Sequence, residues 1–249
     1  MIDTIKIMHD QGKQYIPDVT TAKVPGIFRG RPIISEDKSV ANSEICAVCP
    51  TGALSGEDKL SLDMGRCLFC GECARCFPKK ISFTQDYKIS SVKRENLIIK
   101  EGVDAPVDFG AEAIRKELKG LFSRSLKLRQ VSAAGDNSCE WELGATSNVN
   151  FDMGRFGIEF VASPRHSDGV VVTGPVSENM SIALRKTFEA VPSPKLFVLC
   201  GTDAISGGIF ADSPALDRSF IDETHVDLYI PGNPSHPLTI INALLMFRG

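Results

Sequence analysis

Aromatic residues are scarce in this 249-residue chain: they make up 7% of it, with three tyrosines and one tryptophan, Trp141. There is no basic excess. Lys and Arg number 28 against 31 Asp and Glu, for a net charge of −3 and a pI near 5.9. That balance gives no basis for nucleic-acid binding, which usually shows as a strongly basic face. Long apolar runs are missing too. The best, Leu238–Phe247, is ten residues long and contains Thr239 and Asn242, short of the roughly 18 a membrane helix needs. The first residues carry Asp3, Lys6, His9 and Asp10 where a signal peptide has its apolar core. A cytoplasmic location is expected, free or peripheral on the cytoplasmic face of a membrane, with no direct membrane span. Internal repeats and low-complexity segments are absent. At 43% hydrophobic and 24% charged residues, neither wholesale disorder nor a fibre fits.

Cysteine is what the chain does have. Six of its eight cysteines, Cys46, Cys49, Cys67, Cys70, Cys73 and Cys76, fall within 31 residues, while Cys139 and Cys200 stand alone. Without an export signal, metal binding is a better reading than a disulfide framework. The strongest motif is Cys67-Leu-Phe-Cys70-Gly-Glu-Cys73, with Cys49-Pro-Thr-Gly-Ala upstream. Thiolates are soft ligands suited to iron–sulfur clusters, and the tight spacing lets one loop wrap three corners of a cubane. In bacterial ferredoxins the cysteine followed by proline completes the other motif's cluster. By that rule Cys67, Cys70, Cys73 and Cys49 hold one [4Fe-4S] cluster, and Gly71 permits close backbone approach. A structural zinc site is the alternative, but zinc more often uses separated CxxC pairs. A second cluster lacks its ligands: Ala41, Asn42 and Ser43 offer no thiol, and Cys46 and Cys76 are each one residue out of place. Those two are expected to lie near each other as reduced thiols in a small core.

The composition changes near residue 100. Before it come an irregular arm, the cysteine cluster and short β-type runs at Lys80–Thr84 and Ser91–Lys100. Phe109 to about Arg129 reads as a connecting helix, with Ile114, Leu118, Leu121 and Phe122 at helical spacing. Beyond it, apolar runs at Gly157–Ala162, Gly169–Thr173, Lys195–Leu199 and Val226–Ile230 alternate with helices at about Ser177–Val191 and Pro237–Phe247. Such alternation predicts a parallel sheet covered on both faces. The expected architecture is an α+β ferredoxin-like module followed by an α/β flavodoxin-like parallel-sheet domain. Its parts are residues 1–105 with the arm and cysteine cluster, 106–129 as connector, and 130–249 as the sheet domain.

Residues from about 16 to 100 resemble the ferredoxin-type subunit of formate hydrogenlyase-like, membrane-bound [NiFe]-hydrogenases, through Pro25-Gly-Ile-Phe-Arg-Gly-Arg-Pro32 and the Pro-Thr-Gly-Ala-Leu after Cys49. Residues from about 130 to 249 resemble the small subunit of the same hydrogenases and its 20 kDa-type relative in complex I. Arg155-Phe-Gly-Ile158, Ala162-Ser-Pro-Arg-His-Ser-Asp168, Thr173-Gly-Pro-Val176, Ser206-Gly-Gly-Ile-Phe210 and Tyr229-Ile-Pro-Gly232 carry that likeness. The resemblance implies a flavodoxin-like fold with a [4Fe-4S] cluster on loops at the sheet edge, beside a large subunit. It also implies ligand positions, and here these are occupied by Asp136, Cys139, Asp203 and Asn233. One thiolate in four survives, and carboxylate or amide oxygens are poor ligands for a cubane. The C-terminal cluster is therefore expected to be lost, with one [4Fe-4S] cluster per chain. By the same resemblance Glu142 matches a glutamate facing the active site, here read as a surface carboxylate. Arg165 and His166 lie on the loop that meets the large subunit, and Trp141 is a candidate interface anchor.

The expected role is a non-catalytic electron-transfer subunit of a hydrogenase-like or complex I-like oxidoreductase. Its partners are a large subunit and the other subunits of a membrane-associated complex. The alternative is an assembly subunit whose C-terminal domain only mediates binding. A weaker reading, a sensor built on Cys46 and Cys76, draws on the leftover thiols.

Overall fold

The computed structural model describes residues 2–12 and 14–249. A first helix, α1 (Ile2–Gln11), leaves its described side chains exposed. The arm that follows is tied down by its carbonyls. The Tyr87 hydroxyl and the Asn242 amide both donate to the Val19 carbonyl, at 3.0 and 2.8 Å. Short elements then alternate: β1 (Pro32–Ile34), α2 (Asn42–Ala47), β2 (Leu54–Ser55), β3 (Ser61–Asp63), α3 (Glu72–Cys76), β4 (Ile81–Phe83) and β5 (Ile98–Lys100). β1 and β4 form an antiparallel pair, and β2, β3 and β5 a three-stranded antiparallel sheet. Lys80 and Glu101, both buried, join the two sheets through a 2.7 Å ion pair.

The expected connecting helix over residues 109–129 does not form. The segment holds a single 3-10 turn at Ala111–Ala113, further turns, and then strand β6 (Leu126–Ser132). Gly110 and Gly120 adopt φ of 73° and 72° and interrupt any helix. Ile114, Leu118 and Phe122 are buried as their spacing suggested, but Leu121 is exposed. The period-two burial of Leu126, Lys127, Leu128 and Arg129 is a strand signal that the helical reading absorbed. Arg115 holds the turns in place, donating to the Asp227 carboxylate at 2.6 Å and to the Lys195 carbonyl at 2.5 Å.

The remaining elements are α4 (Ser138–Ala145), β7 (Ile158–Phe160), β8 (Gly169–Thr173), α5 (Glu178–Glu189), β9 (Leu196–Cys200), α6 (Thr202–Ser206), α7 (Ser219–Glu223), β10 (Leu228–Ile230) and α8 (Pro237–Arg248). Five strands make one parallel sheet in the order β7-β6-β8-β9-β10. Numbered within the sheet, that is the 2-1-3-4-5 order of flavodoxin-like folds. β8 and β9 are buried at every residue, because helices cover both faces. Val170, Val172, Phe197 and Leu199 face one cluster with Leu184 and Phe220. Val171, Leu196 and Val198 face the other, with Leu143, Leu238 and Ile241.

Both clusters extend into the first hundred residues. Leu62, Leu97 and Ile99 belong to the first, and Val19, Tyr87 and Val92 to the second. Ser91 also bridges Tyr229 at the β10 edge of the large sheet. Among the described residues no helix is long and apolar enough to cross a membrane.

Candidate functional site

The loop from β3 to α3 carries Cys67 and Cys70, the first turn of α3 carries Cys73, and the turn after α2 brings in Cys49. All four thiols line one recess, with Leu54, Leu62 and Phe83 among its apolar walls. Gly71 makes the turn into α3 with φ of 77°, which favours glycine. The space a Gly71 side chain would need is taken by the Arg29 stem, whose Nε donates to the Phe69 carbonyl at 2.5 Å. Backbone amides point at the sulfurs: Ala53 N–H donates to Cys49 at 3.2 Å and Phe69 N–H to Cys67 at 3.3 Å. Burial pushes the Cys67 thiol up to about 12 and that of Cys73 up to about 11. As free groups these two favour the protonated form at neutral pH, and a bound cationic centre would draw them into thiolates. Among the described residues no three of His, Cys, Asp or Glu converge on one point as a single ion requires. The cysteines line walls instead. Four thiols around an apolar recess, with amides donating to sulfur, are a donor set that fits an iron–sulfur cluster.

Cys46 and Cys76 do not share a small core. Cys46 is half-buried on α2, whereas Cys76 is exposed on α3, where its Sγ lies 3.5 Å from the Glu72 carboxylate one helical turn earlier.

The second set of positions lies just past the carboxyl ends of β6, β9 and β10, with Asp136 and Asn233 on loops and Cys139 and Asp203 in the first turns of α4 and α6. Ligands of doubly wound sheets gather there, close to the switch point between β6 and β8. Glu140 spans that switch point, accepting from Ser132 at 2.6 Å and Thr173 at 2.7 Å. Its second oxygen is buried without a partner, as is Asp203 Oδ1. Burial, reinforced by Asp136 and Glu140, pushes the Asp203 carboxyl up to about 6, against the pull of Arg218. Arg218 spends its guanidinium on carbonyls, at 2.8 Å to Ala204 and 3.0 Å to Pro175. Hydrogen bonds from Ser138 hold the Asp136 carboxyl below its usual range. Asn233 lines a separate cavity, against Phe28 and Arg29 of the arm. Cys139 is buried in the first turn of α4, its sulfur against Gly201, the residue after Cys200. One thiol, two carboxylates and an amide do not fit a cubane.

The two sites touch. The Thr202 hydroxyl, next to Asp203, lies 2.7 Å from the Cys67 carbonyl and 3.2 Å from that of Gly232, next to Asn233. Thr202, Glu140 and Arg29 escaped sequence reasoning, because each acts through residues far away in the chain. A polar side chain between apolar β9 and the Asp203 position was the one available signal for Thr202. Trp141 is 74% exposed, Arg165 and His166 are exposed, and Glu142 is half-buried, its carboxyl raised by that burial.

A family profile described as NADH ubiquinone oxidoreductase, 20 Kd subunit, matches residues 137–247. An NADH-quinone oxidoreductase subunit from Clostridium beijerinckii is 32% identical over 170 residues, which is 68% of this chain and 92% of that one. This chain belongs to the 20 kDa subunit family. The family match begins at Asn137 and leaves the cysteine-rich segment outside it. Formate hydrogenlyase subunit 7 of Escherichia coli (strain K12) is 34% identical over 150 residues, 59% of each chain. The chain thus spans about three-fifths of that relative's length. The probable membrane-bound hydrogenase subunit mbhJ of Pyrococcus furiosus is 30% identical over 130 residues, 52% of this chain and 78% of that one. A chain of the membrane-bound sulfane sulfur reductase, an archaeal respiratory membrane complex, superposes with a TM-score of 0.44 at 28% identity, covering 51% of this chain and 73% of that one.

Proposed function

We propose that this chain is an iron–sulfur electron-transfer subunit of a hydrogenase-like or complex I-like assembly. Its one [4Fe-4S] cluster is held by Cys49, Cys67, Cys70 and Cys73 in a ferredoxin-type module fused ahead of the 20 kDa-subunit domain. Residues 1–105 form that module; the connector expected over 106–129 shortens to about 106–125, because β6, the first strand of the family domain's sheet, starts at Leu126. The observation that carries the reading is the recess itself, where four thiols and two amide donors to sulfur meet around one space. A cluster bound there supplies one-electron transfer, and the chain's own residues set its surroundings. Ala53 and Phe69 amides stabilise thiolate charge, and Arg29 and Thr202 hold the loop through the Phe69 and Cys67 carbonyls. The partners are a large subunit and other members of a membrane-associated complex, on the cytoplasmic face. The exposed Trp141, Ile209 and Phe210 are candidate contacts for such a subunit.

Iron and sulfide analysis with low-temperature EPR on the full chain tests this. About four irons per chain are expected, as one cubane contains. Replacing Cys70 with Ser is expected to remove most of the iron, because a hydroxyl is a harder and poorer ligand, whereas Cys76→Ser leaves it bound. Iron lost from Cys76→Ser but kept in Cys49→Ser overturns the ligand assignment. A colourless full chain, loaded under full iron–sulfur supply, turns the reading to its alternative: an assembly subunit that binds its partners without carrying electrons. The lost donor set at Asp136, Asp203 and Asn233 favours that alternative for the C-terminal domain taken by itself.

A further inference from the structure

Cys139 and Cys200 come from distant parts of the chain, yet they meet inside the family domain. Cys200 ends β9 with no exposed surface, and Cys139 sits in the first turn of α4 at 7% exposure. The Cys139 sulfur lies against the backbone of Gly201, the residue after Cys200, and its nearness, together with burial, pushes the Cys200 thiol up. Room for the pair is built into the backbone. Gly201 follows Cys200 with φ of 94°, and any side chain there would collide with the Cys139 sulfur. Of the other cysteines, Cys67 comes closest in the contacts seen, through its carbonyl and the Thr202 hydroxyl at 2.7 Å. The remaining six are on or beside α2 and α3.

We propose that Cys139 and Cys200 are a redox-active dithiol that closes to a disulfide by exchange with a small disulfide. The inference rests on the reading that the C-terminal domain holds no cluster, since Cys139 cannot bind iron and bond to Cys200 together. In the reaction the Cys139 sulfur, the more exposed of the two, attacks one sulfur of R–S–S–R and expels R–S⁻, which takes up the proton the thiol releases. The Cys200 sulfur then displaces the second R–S⁻ from the mixed disulfide and gives up its own proton in the same way. One S–S bond forms, one breaks, the protein pair is oxidised by two electrons, and two R–SH leave. The low exposure of Cys139 restricts the partner to a small molecule and excludes exchange with another folded protein. The result is a two-electron couple in the half of the chain that has lost its cluster ligands.

The test is a thiol map of the full chain with its native metal content. The protein is equilibrated with mixtures of reduced and oxidised glutathione, quenched in acid, alkylated and digested with trypsin. Cys139 falls in the peptide spanning residues 130–155 and Cys200 in that spanning 196–218, while the other six cysteines fall elsewhere. A linked 130–155/196–218 pair is expected to become the major form of both peptides in oxidising mixtures and to vanish on reduction. In Cys200→Ser the link is expected to be absent and Cys139 to carry glutathione. Both peptides alkylated throughout, or Cys139 linked to a different cysteine, overturns the dithiol while leaving the absent cluster standing. About eight irons per chain, falling to about four in Cys139→Ala, overturns both, since each cubane holds four. Should Cys200→Ser fold poorly, the map of the unaltered chain still decides.

Discussion

Asp203 stands where thiolate chemistry would be expected, and it bears a cost for being there. Its carboxyl is raised to about 6 by burial and by Asp136 and Glu140, so the folded state holds its proton more tightly than the unfolded chain. Such a group lowers stability as pH rises through the window between its ordinary value and 6, and the full penalty is present above it. The side chain is only partly shielded, so solvent screening brings the effect to about 1 kcal/mol. Asp203→Asn is expected to raise the midpoint of thermal unfolding at pH 8 and to leave it unchanged near pH 4. Equal shifts at both pH values would show that packing rather than charge is responsible. That Asp136, Asp203 and Asn233 offer no thiol is read from residue type alone. The packing of the Cys139 sulfur against Gly201 is not, because it depends on how α4 docks on the end of β9, and no local pattern encodes that.

Among the elements, β8 and β9 were the easiest to read. Gly169–Thr173 and Leu196–Cys200 are continuous apolar runs buried on both sides, and no amphipathic helix produces that pattern. The segment ahead of β6 was harder, since Ile114, Leu118 and Phe122 keep a helical spacing while Gly110 and Gly120 break the backbone. The small sheets of the first hundred residues have too few residues per strand to announce themselves. They are joined by Lys80 and Glu101, whose side chains are 5% and 6% exposed. Lys80 also donates to the Asp37 carbonyl, and Glu101 accepts from the Leu60 amide. Removing one partner strands the other charge, which costs about 3–5 kcal/mol in deep interiors. This pair is sealed from water but shallow, so Lys80→Met is expected to cost about 2–3 kcal/mol. Urea unfolding measures it, and a loss below about 0.5 kcal/mol, the ordinary range for surface changes, would mean the pair is surface-like. The Lys80→Met, Glu101→Leu double variant is expected to recover most of the loss, since no charge is then left unpaired.

At the scale of the whole molecule, the division into two parts is a matter of sequence more than of packing. Leu62, Leu97 and Ile99 share a core with Val170 and Phe197, and Tyr87 and Val92 share one with Ile230 and Ile241. The chain is expected to unfold as one cooperative unit. Far-ultraviolet circular dichroism, reporting the sheet, and Trp141 fluorescence, reporting α4, are expected to give coincident denaturant midpoints. Two separated transitions would show independently stable halves. Thr202→Val removes the hydroxyl that meets the Cys67 carbonyl, and a loss of about 1 kcal/mol is expected. Faster amide exchange confined to the Cys67–Cys73 loop and the turn after β10 would accompany it. Unchanged exchange there would mean the contact carries no weight.

The grip of Asn242 on Val19, across 223 positions of chain, also fixes an order of events during synthesis. Ribosomes add roughly 5–20 residues per second. The cysteine segment therefore emerges on the order of 10–30 seconds before the helix that pins the arm at Val19. During that interval the arm is not yet held by α8 and rests on Tyr87, which donates to the same Val19 carbonyl. Translation speed over the second half of the message thus sets how long the nascent chain waits before α8 anchors the arm.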